Sequence, residues 1–268
     1  MTTMVVSLCL LVVLGVAFGA GLAMAAKRFR VDADPRVEQV YDALPHIDCG
    51  ACGYPGCSAY AAAVVKGEAA VDLCVPGGAD TAQAVAQIMG VEVAEAKESS
   101  RAVILCQGGL AEARRDFEYV GVGDCRAASL VHGGPKACKY GCLGFGTCVE
   151  ACPFGAITMS DNGLPVVAED RCSGCGVCVK ACPVGIIALL PVSQRVFLAC
   201  SNTAVKGKAM KDICTRGCIE CRACVKATAS GAITWGDGLP QIDYAQWTDP
   251  DAALAKCPMG CFADQRAS

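Results

Sequence analysis

Cysteines at iron-binding spacing dominate the middle of the chain. Cys172, Cys175, Cys178 and Cys182-Pro183 form a C-x2-C-x2-C-x3-C-P run, the spacing at which thiolates wrap a cubane iron–sulfur cluster. Just upstream, residues 138–157 read CKYGCLGFGTCVEACPFGAI and carry Cys152-Pro153 at the matching place. In two-cluster units of this kind each half supplies three thiolates to one cluster and lends its Cys-Pro cysteine to the other. Cys152, Cys172, Cys175 and Cys178 are therefore expected to hold one 4Fe–4S cluster. The second set needs a repair, because Phe145 occupies its middle ligand position and cannot bind iron. Cys138 is the substitute, giving Cys138, Cys142, Cys148 and Cys182. Zinc competes for four-cysteine sites, but its ligands usually come as two separated C-x2-C pairs, not three cysteines followed by Cys-Pro.

Two further sets follow. Residues 49–57 read CGACGYPGC, and Cys74 comes after a gap of 16 residues. Glycines let the backbone fold closely round an inorganic core, so Cys49, Cys52, Cys57 and Cys74 form a third expected site. The fourth comes from an internal repeat. KYGCLGFGTCVEACPFGAIT, from Lys139, matches TRGCIECRACVKATASGAIT, from Thr215, and the turn DNGLP at Asp161 matches GDGLP at Gly236. Both turns suit tight hairpins. In the second copy Cys218, Cys221, Cys224 and Cys257-Pro258 keep one ligand set complete. The positions equivalent to Cys152, Cys172, Cys175 and Cys178 are Thr228, Trp247, Pro250 and Ala253. Losing all four members of one crossed set while sparing the other is what deletion of a whole cluster looks like. The second copy is expected to hold one cluster, with Trp247 filling the vacated volume.

Six of the 22 cysteines remain: Cys9, Cys106, Cys125, Cys200, Cys214 and Cys261. They read as buried structural thiols; a further metal site among Cys106, Cys125, Cys200 and Cys214 is the alternative. Disulfides are disfavoured in a reducing compartment. The lone His46 beside the first site reads as a surface or hydrogen-bonded residue.

The elements that must position these residues begin with an anchor. Residues 4–26 carry no charge, and Lys27, Arg28 and Arg30 follow at once. That run is long enough to cross a bilayer as a helix. The basic residues place the N-terminus outside and the remainder in the cytoplasm. A cleaved signal peptide fits less well, for want of a basic leading region and because the apolar core is long. A short polar, helical spacer covers residues 31–48. A helix is expected over residues 58–73, one or two helices with a break at Gly90 over residues 79–100, a β-rich run over residues 101–106 and irregular chain over residues 107–137. The Gly-containing stretches near Gly121 and Gly133 fit neither a dinucleotide fingerprint nor a Walker loop. The net charge of −3 implies no nucleic-acid partner. The expected fold class is α+β: a single N-terminal transmembrane helix (residues 1–29), a small α-rich 4Fe–4S domain (30–100), a two-cluster ferredoxin-like domain (101–191) and a second ferredoxin-like repeat retaining one cluster (192–268).

With the anchor, CGACGYPGC and its distant fourth cysteine, and KYGCLGFGTCVEACPFGAI followed by CSGCGVCVKACP, the chain resembles the iron–sulfur B subunit of the Rnf complex, the ion-translocating ferredoxin:NAD+ oxidoreductase of bacterial membranes. The likeness covers nearly the whole length. It implies a membrane-tethered electron relay on the cytoplasmic side of the inner membrane, with no catalytic residues of its own; the four expected 4Fe–4S clusters are those of the cysteine sets above. Such a relay accepts electrons from soluble reduced ferredoxin and passes them to other membrane subunits. The alternatives are a membrane-bound polyferredoxin serving a different oxidoreductase, and a structural or assembly protein held by cysteine–metal staples. The departures at Thr228, Trp247, Pro250 and Ala253 interrupt a continuous chain of clusters through the C-terminal unit.

Overall fold

The computed structural model describes residues 2–28, 34–92 and 98–265. The chain begins with helix α1 (Thr2–Arg28), closed by Lys27 and Arg28. Its span Leu10–Arg28 has a mean hydropathy of 2.0 and is not buried against the rest of the chain. Leu10, Val12, Phe18 and Leu22 are all exposed. A row of uncovered aliphatic side chains is costly in water and ordinary in hydrocarbon. The reading of Cys9 as a small apolar side chain falls outside the described side chains.

The first compact unit is helical. Helices α2 (Pro35–Asp42), α3 (Cys57–Val65) and α4 (Gly78–Met89) bury Val40, Leu44, Tyr60, Val64 and Val85 together. Asp34 caps α2 by accepting from the Arg36 amide. Gly90 ends α4 in the left-handed conformation that glycine adopts freely. The helix expected over residues 58–73 stops early, at Val65. Gly67, at φ +76°, turns the chain away there, which frees the stretch to Cys74 to double back. The second half of the helical expectation for residues 79–100 lies partly outside the described residues.

The remainder is built from short strands and shorter helices. Strand β1 (Ser100–Ile104) leads into helix α5 (Cys125–Leu130), helix α6 (Thr147–Glu150) and the hairpin β2 (Ile157–Met159) and β3 (Pro165–Val167). Helix α7 (Val177–Ala181) and strand β4 (Ile187–Pro191) follow, and β4 returns antiparallel to β1. The chain then lays out β5 (Val196–Leu198), α8 (Gly207–Ile213), α9 (Ala223–Ala227), the hairpin β6 (Ile233–Gly236) and β7 (Leu239–Ile242), α10 (Pro250–Lys256) and β8 (Phe262–Asp264). Here β8 pairs antiparallel with β5. Both expected hairpin turns join antiparallel strands. Residues 107–137, expected to be irregular, contain α5, whose first turn Asp124 caps by accepting from the Arg126 and Ala127 amides.

The β1–β4 and β5–β8 ribbons pack on each other through Val103, Phe197 and Ala199. Arg101, only 1% exposed, is held there by Glu169, which also pairs with Arg195. Below the β5–β8 ribbon the core is Trp247, Phe262, Ile233 and Ala253. Trp247 lies 5.8 Å from Phe262 and 6.1 Å from Tyr244, ring centre to ring centre. Thr228 and Ala253 are buried as well, so an apolar side chain fills the ground where the earlier copy carries cysteines. Trp247→Ala should therefore cost about 3–5 kcal/mol, measured by anaerobic denaturation of the full chain, and Trp247→Phe clearly less.

Candidate metal centres

Cys49, Cys52, Cys57 and Cys74 surround one cavity of about 320 Å3, floored by Tyr60. Gly50 and Gly53 take left-handed conformations, φ +66° and +91°, so the loop can curl round that space. Asp48 accepts the Cys57 amide at 2.6 Å and so anchors the start of α3. The Tyr60 hydroxyl donates to Ala70 O at 2.8 Å and accepts from the Leu73 amide at 3.3 Å. Those two bonds pin the returning segment that presents Cys74. Burial pushes the Tyr60 phenol up to about 12 and the Cys74 thiol upward. His46 stacks on Tyr41, with Nε2 against the Tyr41 carbonyl, and is not on the cavity wall.

Cys152, Cys172, Cys175 and Cys178 line a second cavity, of about 300 Å3. The Cys152 sulfur accepts from the Ala156 amide at 3.4 Å and the Cys172 sulfur from the Ala102 amide at 3.5 Å. Gly174, at φ +69°, lies against the Ser100 carbonyl, and a Cβ there would collide with it. Burial pushes the Cys178 thiol up to about 12. Such a thiol ionises at neutral pH only beside concentrated positive charge, which a metal centre supplies.

A third cavity, of about 370 Å3, is lined by Cys142, Cys148 and Cys182. The fourth cysteine on its wall is Cys125, not Cys138. Cys125 opens α5, and its amide donates to Thr147 Oγ1 at 2.7 Å; that hydroxyl in turn donates to Asp124 at 3.1 Å. Thr147 begins α6, which carries Cys148, so both cysteines are fixed through one hydroxyl. Phe145 turns away to pack edge-on against Tyr119 at 5.2 Å. Cys138 is held elsewhere because the residues before it pair with residues 114–115: Lys136 bridges to Arg115, and the Ala137 amide donates to Arg114 O at 2.9 Å. It lies with Cys106, Cys200 and Cys214 on the wall of a separate cavity of about 330 Å3. Sequence reasoning left Cys125 unassigned, although an aspartate cap before an unassigned cysteine marks a helix start that could fill the gap left by Phe145.

In the C-terminal unit Cys218, Cys224 and Cys257 come together, and Cys221 sits at the exposed rim. Cys257 accepts from the Cys261 amide at 3.3 Å, the same bond that Cys152 makes with Ala156. The buried Cys261 thiol bonds to the Cys218 and Cys257 sulfurs, bringing Cys218 down to about 7 and Cys257 down to about 6. Cys261 itself is pushed well above the ordinary thiol range by those same bonds. Sequence reasoning had given it no part here.

Every described cysteine is free. Among the described residues, no three His, Cys, Asp or Glu side chains close on one ion-sized point. The sulfurs instead stand round cavities, with amides directed at them and left-handed glycines between them, an arrangement that fits a polynuclear cluster.

Two family models match. "Putative Fe-S cluster" covers residues 44–76 and "4Fe-4S dicluster domain" covers residues 137–186. The chain is 46% identical over 251 residues to the B subunit of the Na(+)-translocating ferredoxin:NAD(+) oxidoreductase complex of Acetobacterium woodii, spanning 94% of this chain and 75% of that one. It is 44% identical to the B subunit of the proton-translocating ferredoxin:NAD(+) oxidoreductase complex of Clostridium ljungdahlii, over 98% and 93% of the two chains. Against the B subunit of the ion-translocating oxidoreductase complex of Methanosarcina acetivorans the identity is 40%, over 94% and 95%.

Gly174→Ala tests the cavity geometry. It should cost about four iron atoms per anaerobically purified chain, one cubane's worth. Gly185→Ala is the control: its φ is also left-handed, but nothing lies within 4 Å of the added carbon, so it should keep its full iron.

Proposed function

Since the chain belongs to the family of iron–sulfur B subunits of ion-translocating ferredoxin:NAD+ oxidoreductase complexes, we propose that it takes electrons from soluble reduced ferredoxin and relays them to neighbouring membrane subunits. It is an iron–sulfur electron-transfer component of a redox complex. When bound, a cubane cluster changes oxidation state by one electron with little rearrangement, which suits a relay and calls for no bond-making residues. The chain's own residues supply thiolates, exclude water and direct amides at sulfur.

Four sites are assigned. Cys49, Cys52, Cys57 and Cys74 form the one nearest the anchor. Cys152, Cys172, Cys175 and Cys178 form the second, and Cys125, Cys142, Cys148 and Cys182 the third, with Cys125 taking the place first given to Cys138. Cys218, Cys221, Cys224 and Cys257 form the fourth. The observation that carries the relay is that the walls of one groove include both Cys74 and Cys172, so the first two sites face each other across a gap between their units. Residues 1–29 are read as a single-pass anchor with its N-terminus outside, which keeps the relay at high effective concentration beside its partners. Residues 30–100 form the first cluster domain. Residues 101–191 and 192–268 form two ferredoxin-like α+β repeats, a reading supported by the matching β1–β4 and β5–β8 pairings.

Anaerobic full-length protein in detergent should bleach in the visible on mixing with reduced ferredoxin. Protein that is colourless and holds zinc without iron would overturn the relay. Cys125→Ala should abolish the spectroscopic signal of the third site, and Cys138→Ala should leave that signal in place.

A further inference from the structure

The cavity of about 330 Å3 that holds Cys138 lies on the seam between the two C-terminal units and is not used by the four sites above. Two cysteines reach it from each unit. Cys106 follows β1 and Cys200 follows β5, and Ser201 Oγ donates to Leu105 O at 3.0 Å, holding the two strand ends side by side. Cys138 and Cys214 arrive along a shared ladder. Residues 112–115 bridge to Cys214 on one side and Lys136 on the other, with the Arg114 amide on Ile213 O at 2.9 Å and the Thr215 amide on Glu112 O at 3.0 Å.

The sulfurs are close. A Cβ on Gly108 would stand 3.1 Å from Cys214 Sγ and 3.8 Å from Cys106 Sγ. One on Gly141 would stand 3.7 Å from Cys138 Sγ and 3.8 Å from Cys106 Sγ. Cys200 closes the remaining wall. The pairs correspond in the internal repeat: Cys106 to Cys200, and Cys138 to Cys214. They are also hydrogen-bonded alike. The Cys142 amide donates to Cys106 Sγ at 3.3 Å, and the Cys218 amide to Cys200 Sγ at 3.4 Å.

The wall also carries two cations, Arg216 and Lys136. Lys136 is 3% exposed, and its ammonium donates to Gly108 O. A buried ammonium is costly unless negative charge opposes it, and four thiolates round an iron–sulfur core supply that charge.

We propose that Cys106, Cys138, Cys200 and Cys214 are the ligands of a fifth iron–sulfur cluster, shared equally by the two units. Its ligands receive amides from Cys142 and Cys218, which belong to the third and fourth sites, so it stands between them. Occupied, it takes one electron from a reduced neighbour, which is thereby oxidised, and gives one up to the other. The proposal rests on the iron–sulfur chemistry of the relay reading but not on ferredoxin as donor.

The test is iron, sulfide and zinc per full-length chain, purified anaerobically, with Mössbauer and EPR spectra. The wild type should hold about 20 iron atoms and Cys200→Ala/Cys214→Ala about 16, four per cubane. Equal iron in the two proteins overturns the proposal. So does loss of one zinc in place of four iron. Should the double variant lose all its iron, Cys200→Ser keeps an oxygen ligand: a shift in one EPR signal supports the site and an unchanged spectrum overturns it. If ferredoxin fails to reduce a wild type in which the iron difference stands, the donor reading fails and the seam site survives.

Discussion

Short elements cannot hold themselves together, and that constraint governs everything after the anchor and its helical unit. Helices of four to seven residues are far below the length at which a helix is stable alone, and two-stranded ribbons are marginal in water. In residues 98–265 these are the only regular elements described. What joins them is a set of cysteine-walled cavities. Burial drives the Cys142 and Cys178 thiols up to about 12, so without metal these two are neutral thiols that bind nothing strongly. A metal core makes them thiolates and ties α6, α7 and the hairpins to common points. Metal binding and folding are then one event.

The ligand spacing dictates the backbone as firmly as it dictates side chains. On either side of the middle position of each expected ligand triplet the chain passes through a left-handed conformation. In the first copy these fall on Gly144 and Gly146, and in its other half on Gly174 and Gly176. In the C-terminal unit the same places are Glu220, at φ +58°, and Arg222, at φ +56°. Side chains there are strained, yet the path is kept. Arg222 recovers something by lying over the Trp235 ring at 5.0 Å. A loop that accepts backbone strain at non-glycine residues is under a constraint other than its own propensity.

This is why cysteine spacing made so much legible. Sets joined by short, regular gaps (Cys49 to Cys57, Cys172 to Cys178) share a cavity because a few residues of loop cannot carry them apart. The hairpins were legible from Asp161-Asn162-Gly163 and Gly236-Asp237-Gly238, whose turn chemistry is local. What the spacing could not give was Cys125. It reaches its cavity on a six-residue helix that is too short for an apolar period to register. Its position depends on Thr147, 22 residues later. Cys138 was misplaced for a related reason. Its neighbours in sequence pointed to Cys142, but the pairing of residues 136–137 with residues 114–115 turns it to the seam, and an isolated bridge across irregular chain leaves no periodic mark in the sequence.

The two matching stretches, from Lys139 and from Thr215, are held by different forces. In the first, cysteines stand on both sides of the crossed arrangement. In the second, one side carries Thr228, Trp247, Pro250 and Ala253 at those positions, and Trp247 and Ala253 pack with Phe262 in an apolar core. The exchange is coherent because a four-thiolate centre has no useful intermediate: with one ligand gone, the other three are buried thiols without a purpose, and a large aromatic side chain fills the space better. The cysteines of the seam escaped this exchange. They sit outside the crossed pair, two to a copy, and neither copy can lose its pair without emptying a cavity that the other still lines.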